Sequence, residues 1–239
     1  MASIVDENIE NLYRLLQSQV DDGDVLNQQL YIVQKIIHEG SEVLLLDLLI
    51  DRRILKEEPL AYLDSIIFQA LRSSNNEHIV NKLDSYFSDG LIHLKPSLKI
   101  DYQPLQDLLI LQDFKQANEL MHKYLCQLAN IDINQRTWLY FTDISILPVE
   151  DLRTLDMLWR VYSHGKFGFS VQREIWLSRN RNWEKLWYEI GWKNNEVPCR
   201  YPDGFIWTLD APRGHLPLFN QLRGVQVLSA IFSHVMWIS

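Results

Sequence analysis

Pro148-Val149-Glu150-Asp151-Leu152-Arg153-Thr154-Leu155-Asp156-Met157-Leu158-Trp159-Arg160-Val161-Tyr162-Ser163-His164-Gly165-Lys166-Phe167-Gly168-Phe169-Ser170-Val171-Gln172-Arg173-Glu174-Ile175-Trp176 is the stretch on which the fold turns. Pro148 opens it as a helix start, and Leu152, Leu155, Leu158, Trp159 and Tyr162 follow at helical spacing. About 15 residues give a rod of roughly 22 Å. Gly165 fits its C-terminal stop. Leu155 and Trp159, four apart, share a face that either packs in a core or lines a cleft. Phe167 and Phe169 flank Gly168; in an extended chain both point one way, as a slot wall or a core hairpin. Asp151 and Asp156 are five apart and share no face, so they read as a helix N-terminal charge and a structural hydrogen bond or ion pair.

Outward from this block the pattern stays helical. Leu105, Leu108, Leu109 and Leu111 mark a short helix. Asp113 to Gln116 has capping-box-like spacing before Phe114, Ala117, Leu120, Met121, Tyr124, Leu125 and Leu128. The first 90 residues carry four or five short amphipathic helices, a small bundle or a stack of helix pairs. Gly40-Ser41 separates two of them. Pro59 fits a first helical turn, and Ser74 to Glu77 has capping-box spacing. The fold class expected is all-α, with an N-terminal helical bundle over 1–92 and an all-helical core domain over 100–239. The join shows in composition: residues 1–90 hold 16 acidic and 7 basic side chains and no Trp, whereas the remainder is nearly neutral and holds all 8 Trp.

Composition narrows the function classes. The chain has 239 residues, 47% hydrophobic and 23% charged, with a net charge of −8. That balance is globular and lacks the basic stripe of a nucleic-acid binder. Two cysteines, Cys126 and Cys199, form no disulfide framework and no CxxC, which points to a reducing compartment without a zinc site. The N-terminus reads as neither signal nor transit peptide. The longest strongly apolar run, Val43 to Ile50, is too short to span a membrane, leaving only peripheral association open. No P-loop, GxGxxG, HExxH or GxSxG occurs, and the seven His show no metal-ligand spacing, so no catalytic residue and no metal ligand is assigned.

The long block, together with Gly191-Trp192 and Ala211-Pro212-Arg213-Gly214-His215-Leu216-Pro217, resembles the Genomes-Uncoupled-Four family of tetrapyrrole-binding proteins over about residues 102–217. The resemblance implies an all-α core that binds protoporphyrin IX and Mg-protoporphyrin IX. It implies a partner, the large subunit of magnesium chelatase, whose metal insertion in chlorophyll biosynthesis the protein stimulates without being an enzyme. It implies a photosynthetic setting: the plastid stroma for a plastid-encoded chain, or a cyanobacterial cytoplasm. A monomer is expected. Two positions depart from the family pattern: Asn118 and Met121 stand where an Asp and a Thr are usual. The stretch after Pro217 follows no alignable pattern.

A porphyrin is a flat apolar disc with two propionates on one edge, so its site needs aromatic walls and a few cations at the mouth. Burying about 300 Å² of apolar surface at roughly 25 cal/mol/Å² yields about 7 kcal/mol before ordering costs. Candidate walls are Phe141, Leu155, Trp159, Phe167, Phe169, Trp192, Trp207, Leu218, Phe219 and Leu222, with Arg213 and Arg223 as propionate partners. His215 reads as an axial ligand or as a structural hydrogen bond within its turn. Core packing is the alternative for the buried-type side chains. The competing functions are a helical scaffold or signalling adaptor without a ligand, and an enzyme acting on tetrapyrroles, for which no acid–base pair is evident.

Overall fold

The computed structural model describes residues 9–14, 23–95, 98–132, 134, 136–194, 197–219 and 225–238. It divides into two compact units, Met1–His93 and Leu94–Ser239.

In the first unit, residues 9–14 are helical, and four longer helices follow: α1 Gly23–His38, α2 Glu42–Ile50, α3 Tyr62–Arg72 and α4 Glu77–Tyr86. Leu45, Leu46, Leu48 and Leu49 of α2 are all buried, because α1, α3 and α4 each pack against it. A π-helical turn, Asp51–Leu55, continues α2. It presents buried Arg52, whose Nε donates to Asp64 Oδ1 at 2.8 Å. Asp64 also accepts from the Ala61 backbone N–H at 2.8 Å and so supports the start of α3. Two details differ from the sequence pattern. Pro59 lies three residues ahead of α3, not in its first turn. Asn76 rather than Ser74 caps α4, accepting from His78 N at 3.2 Å, while the Ser74 hydroxyl donates to Glu42 at 2.7 Å.

The second unit is also helical: α5 Gln103–Ile110, α6 Phe114–Leu128, the single turn α7 Phe141–Ile144, α8 Val149–Tyr162, α9 Phe169–Ser178, α10 Trp183–Glu189 and α11 Gln226–Phe232. The expected all-α class holds; its one sheet is the antiparallel pair β1 Lys193–Asn194 and β2 Val197–Pro198 among the described residues. Asp113 caps α6, accepting from Gln116 N at 3.1 Å as its spacing predicts. In α8, Leu152, Leu155, Leu158, Trp159 and Tyr162 are fully buried.

The end of α8 is a Schellman motif: Gly165 N–H donates to Arg160 O at 2.7 Å, and His164 N–H to Val161 O at 3.1 Å. The left-handed residue after the cap is His164, at φ 56°; Gly165 follows one position late. No helix among the described residues is long and apolar enough to cross a membrane.

Candidate functional site

The block around Phe167 and the Ala211–Pro217 turn form a scaffold held by buried polar bonds. Gly168 leads into α9 with φ 132°, and a Cβ there would lie 2.9 Å from Asp156 Oδ1 and 3.0 Å from Arg160 Cγ. Glycine is what lets α9 begin this close to α8. Asp156, buried on α8, accepts from Ser170 N–H at 2.8 Å and thereby caps α9 from a neighbouring helix. Burial pushes its carboxyl above the usual range, and the hydrogen bonds from Ser170 oppose the shift. Asp151 accepts from the Tyr102 hydroxyl at 2.8 Å.

Gln172 Nε2 donates to both Gly214 O and Pro217 O at 2.9 Å. Trp192 Nε1 donates to His215 O at 2.7 Å. His215 is buried with both ring nitrogens engaged: Nδ1 donates to Ile190 O at 2.6 Å, and Nε2 accepts from Ile206 N–H at 3.0 Å. Its pKa is lowered, chiefly by burial. This is the structural alternative for His215, and it leaves no lone pair for an axial bond.

In front of this scaffold lies an open cleft of about 1290 Å³. One side is α6, contributing Asn118, Glu119, Leu120, His122, Lys123, Tyr124, Cys126 and Gln127. Asn130, Ile131, Asp132, Asn134 and Thr137 extend it along the loop after α6. The other side is Cys199, Tyr201, Phe205, Leu218 and Phe219. The volume exceeds the roughly 300–1,000 Å³ of ordinary small-molecule sites.

Two contacts hold the walls. Asn118 Oδ1 accepts from Leu218 N–H at 2.8 Å, and the Tyr201 hydroxyl donates to Glu119 Oε1 at 2.7 Å. Burial, then the Glu119 carboxylate, push the Tyr201 phenol up to about 12, so it stays a donor at neutral pH. His122 donates Nε2–H to Thr137 O at 2.8 Å and meets Phe219 edge-on at 6.2 Å.

Of the residues the sequence nominated, Leu218 and Phe219 line the cleft. Trp207 stands beside it, edge-on to Tyr201 at 5.9 Å and 6.4 Å from Phe205. Phe169 is a second layer, 5.8 Å behind Phe219. The structure places Leu155, Trp159, Phe167 and Trp192 in the core, at most 1% exposed. Trp159 stacks on Phe114 at 6.0 Å and donates Nε1–H to Met121 Sδ at 3.1 Å; Phe167 meets Phe114 at 5.3 Å. Phe167 and Phe169 do not share an extended strand, because α9 begins at Phe169. Phe141 is half exposed on α7, which packs on α11. Arg213 is engaged away from the cleft lining, pairing with Glu174 at 2.6 Å. Leu222 and Arg223 lie outside the described residues.

The sequence reading missed the exposed face of α6. Glu119, Lys123 and Gln127 recur every four residues, which in sequence is the signature of any solvated helix face. The departures at Asn118 and Met121 were the one signal pointing to this helix. Each has a structural partner, Leu218 N–H and Trp159 Nε1–H respectively. Among the described residues, no three His, Cys, Asp or Glu side chains converge to hold a metal ion.

Comparisons with known proteins follow the same outline. Residues 95–235 match the family described as GUN4-like. An uncharacterised ycf53 protein of Porphyra purpurea is 45% identical over 226 residues, covering 93% of this chain and 94% of that protein. A chloroplastic tetrapyrrole-binding protein of Arabidopsis thaliana is 35% identical over 142 residues, 56% of this chain and 54% of its own length. The structure of GUN4 from Chlamydomonas reinhardtii superposes with a TM-score of 0.57 at 38% identity, covering 62% of this chain and 95% of that one.

Proposed function

This chain belongs to the GUN4-like family, and from that membership we propose that it binds protoporphyrin IX and Mg-protoporphyrin IX in the α6 cleft and stimulates magnesium chelatase. The observation that carries the reading is the cleft itself. It is large, open and walled by Leu218, Phe219, Phe205 and Tyr201, and it lies inside the family-matched segment. A flat macrocycle fits such a slot because two apolar faces are covered at once while its edge stays wet. The Arabidopsis relative, whose name states tetrapyrrole binding, supports the ligand class.

In this reading residues 100–239 are the tetrapyrrole-binding core and residues 1–92 a separate helical bundle. The disc rests on Leu218 and Phe219, with Phe169 and the scaffold holding that wall from behind. The chain in this reading acts as a regulatory partner of the chelatase large subunit and leaves the chemistry of metal insertion to the chelatase. It holds substrate or product and shifts the equilibrium by differential binding. The setting is the plastid stroma or a cyanobacterial cytoplasm, in line with the chloroplastic relative.

Titration with deuteroporphyrin IX and its magnesium complex, followed by tryptophan quenching and the Soret shift, tests the binding step. Saturable one-to-one binding near micromolar is expected, followed by faster metal insertion in a reconstituted chelatase assay. A folded chain that binds neither porphyrin is instead a ligand-free adaptor.

A further inference from the structure

The cleft wall carries a specific arrangement of charge. Its charged lining residues are Glu119, Lys123 and Asp132, together with the ionisable His122. Lys123 is the one fixed cation among these described lining residues. Arg136, next to the lining residue Thr137, forks onto Asp143 at 2.7 and 3.0 Å, and Arg213 pairs with Glu174 at 2.6 Å, whereas Arg200 lies between the lining residues Cys199 and Tyr201 without being part of the lining. Lys166 donates to the Leu209 carbonyl. Glu119 sits one helical turn before Lys123 on the same face, and its carboxylate is fixed by the Tyr201 hydroxyl at 2.7 Å. Burial runs the other way: Leu218 and Phe219 are less than 10% exposed, whereas Lys123 is exposed.

Resting on the tetrapyrrole reading, we propose that Lys123 anchors the carboxylate edge of the ligand, and that Glu119 and Asp132 reject tetrapyrroles carrying carboxylates around the whole rim. The disc enters with its apolar edge toward Leu218 and Phe219, and its acidic edge meets the Lys123 ammonium at the mouth. A lysine serves both carboxylates of one edge as a mobile point charge. A ligand with carboxylates on its other edges brings them against Glu119, whose position is set by Tyr201, and against Asp132; like charges in a partly dry slot repel. The selected class is the amphiphilic tetrapyrrole with acidic groups on one side.

The test titrates the full chain with deuteroporphyrin IX, its dimethyl ester and coproporphyrin, which has four carboxylates, in one cosolvent. Lys123→Glu is expected to weaken the diacid about tenfold and the ester less than about twofold. Lys123→Arg retains diacid binding. Glu119→Gln improves coproporphyrin more than the diacid. Thermal melts confirm that these exposed substitutions leave the fold intact.

Equal weakening of diacid and ester by Lys123→Glu, or an unchanged diacid affinity, overturns the anchor. An equal response of both acids to Glu119→Gln overturns the filter. A wild-type chain that binds neither diacid nor ester overturns the tetrapyrrole reading, and the anchor falls with it.

Discussion

The second unit contains two regions of opposite character. The block from Asp156 to Gln172, with the Gly214–Pro217 turn, is rich in distinctive residues and almost wholly interior. The α6 face with its facing loops is compositionally plain and forms the open cleft. Residues that make a sequence recognisable need not be those a ligand touches. Gly168, Asp156, Gln172 and His215 are demanding because each satisfies a buried backbone group or permits a close approach. Glu119, Lys123 and Tyr201 face solvent, and many residues satisfy a solvated position equally well.

The comparison breaks most visibly at Trp159. As a fully buried ring stacked on Phe114, Trp159→Ala should cost about 3–5 kcal/mol in urea unfolding. A protein of unchanged stability that had lost porphyrin affinity would move Trp159 from scaffold to cleft.

Next come the joints between α8 and α9. Gly168→Ala, placed against Asp156 and Arg160 at positive φ, should cost about 2–3 kcal/mol. Asp156→Ala should cost a similar amount by uncapping α9, while Asp156→Asn retains an acceptor and costs less. Equal losses for Asn and Ala would remove the capping role.

The third effect is acid sensitivity. Burial lowers the pKa values of His215 and His234 and pushes His164 down to about 4. The unfolded chain takes up these protons near pH 6.5, before the native state does. Stability is therefore fully present above about pH 6.5 and should decline as pH falls toward 4, by on the order of 3 kcal/mol from His164 alone. The raised carboxyl of Asp156 acts with the opposite sign: its native pKa lies above the unfolded value, so its contribution grows as pH falls through that range. Asp156→Asn should steepen the acid loss in that lower window, measured as unfolding midpoints between pH 7.5 and 4.

The smallest effect belongs to the cleft rim. Tyr201→Phe removes the bond to Glu119 from an exposed pair and should change stability by less than about 0.5 kcal/mol. It should still alter porphyrin affinity measurably; a silent variant would detach the Tyr201 loop from the site.

The helical fold was legible because its signals are local. The spacing of Leu152, Leu155, Trp159 and Tyr162, and the cap at Asp113, act within one or two turns. The end of α8 was legible only to one residue, because the left-handed position went to His164 while Gly165 drew attention. The site was much less legible. Aromatic character selects equally for cores and for ligand walls, so Trp159, Phe167 and Trp192 looked the same in sequence as Phe219. The partners that decide between those fates, Phe114 for Trp159 and His122 for Phe219, come from α6 and are remote in sequence. Arg213 likewise looked available until Glu174 was placed beside it.

The central claim is that the ligand occupies the α6 cleft rather than the aromatic interior. Both of the chain's two cysteines line that cleft; Cys126 is buried and Cys199 half-buried. The most direct measurement is the rate of Cys199 alkylation by iodoacetamide, read by peptide mass spectrometry, without porphyrin and at porphyrin saturation verified by the Soret band. The account predicts that saturation slows Cys199 labelling severalfold. An unchanged labelling rate on fully loaded protein would place the porphyrin elsewhere and contradict it.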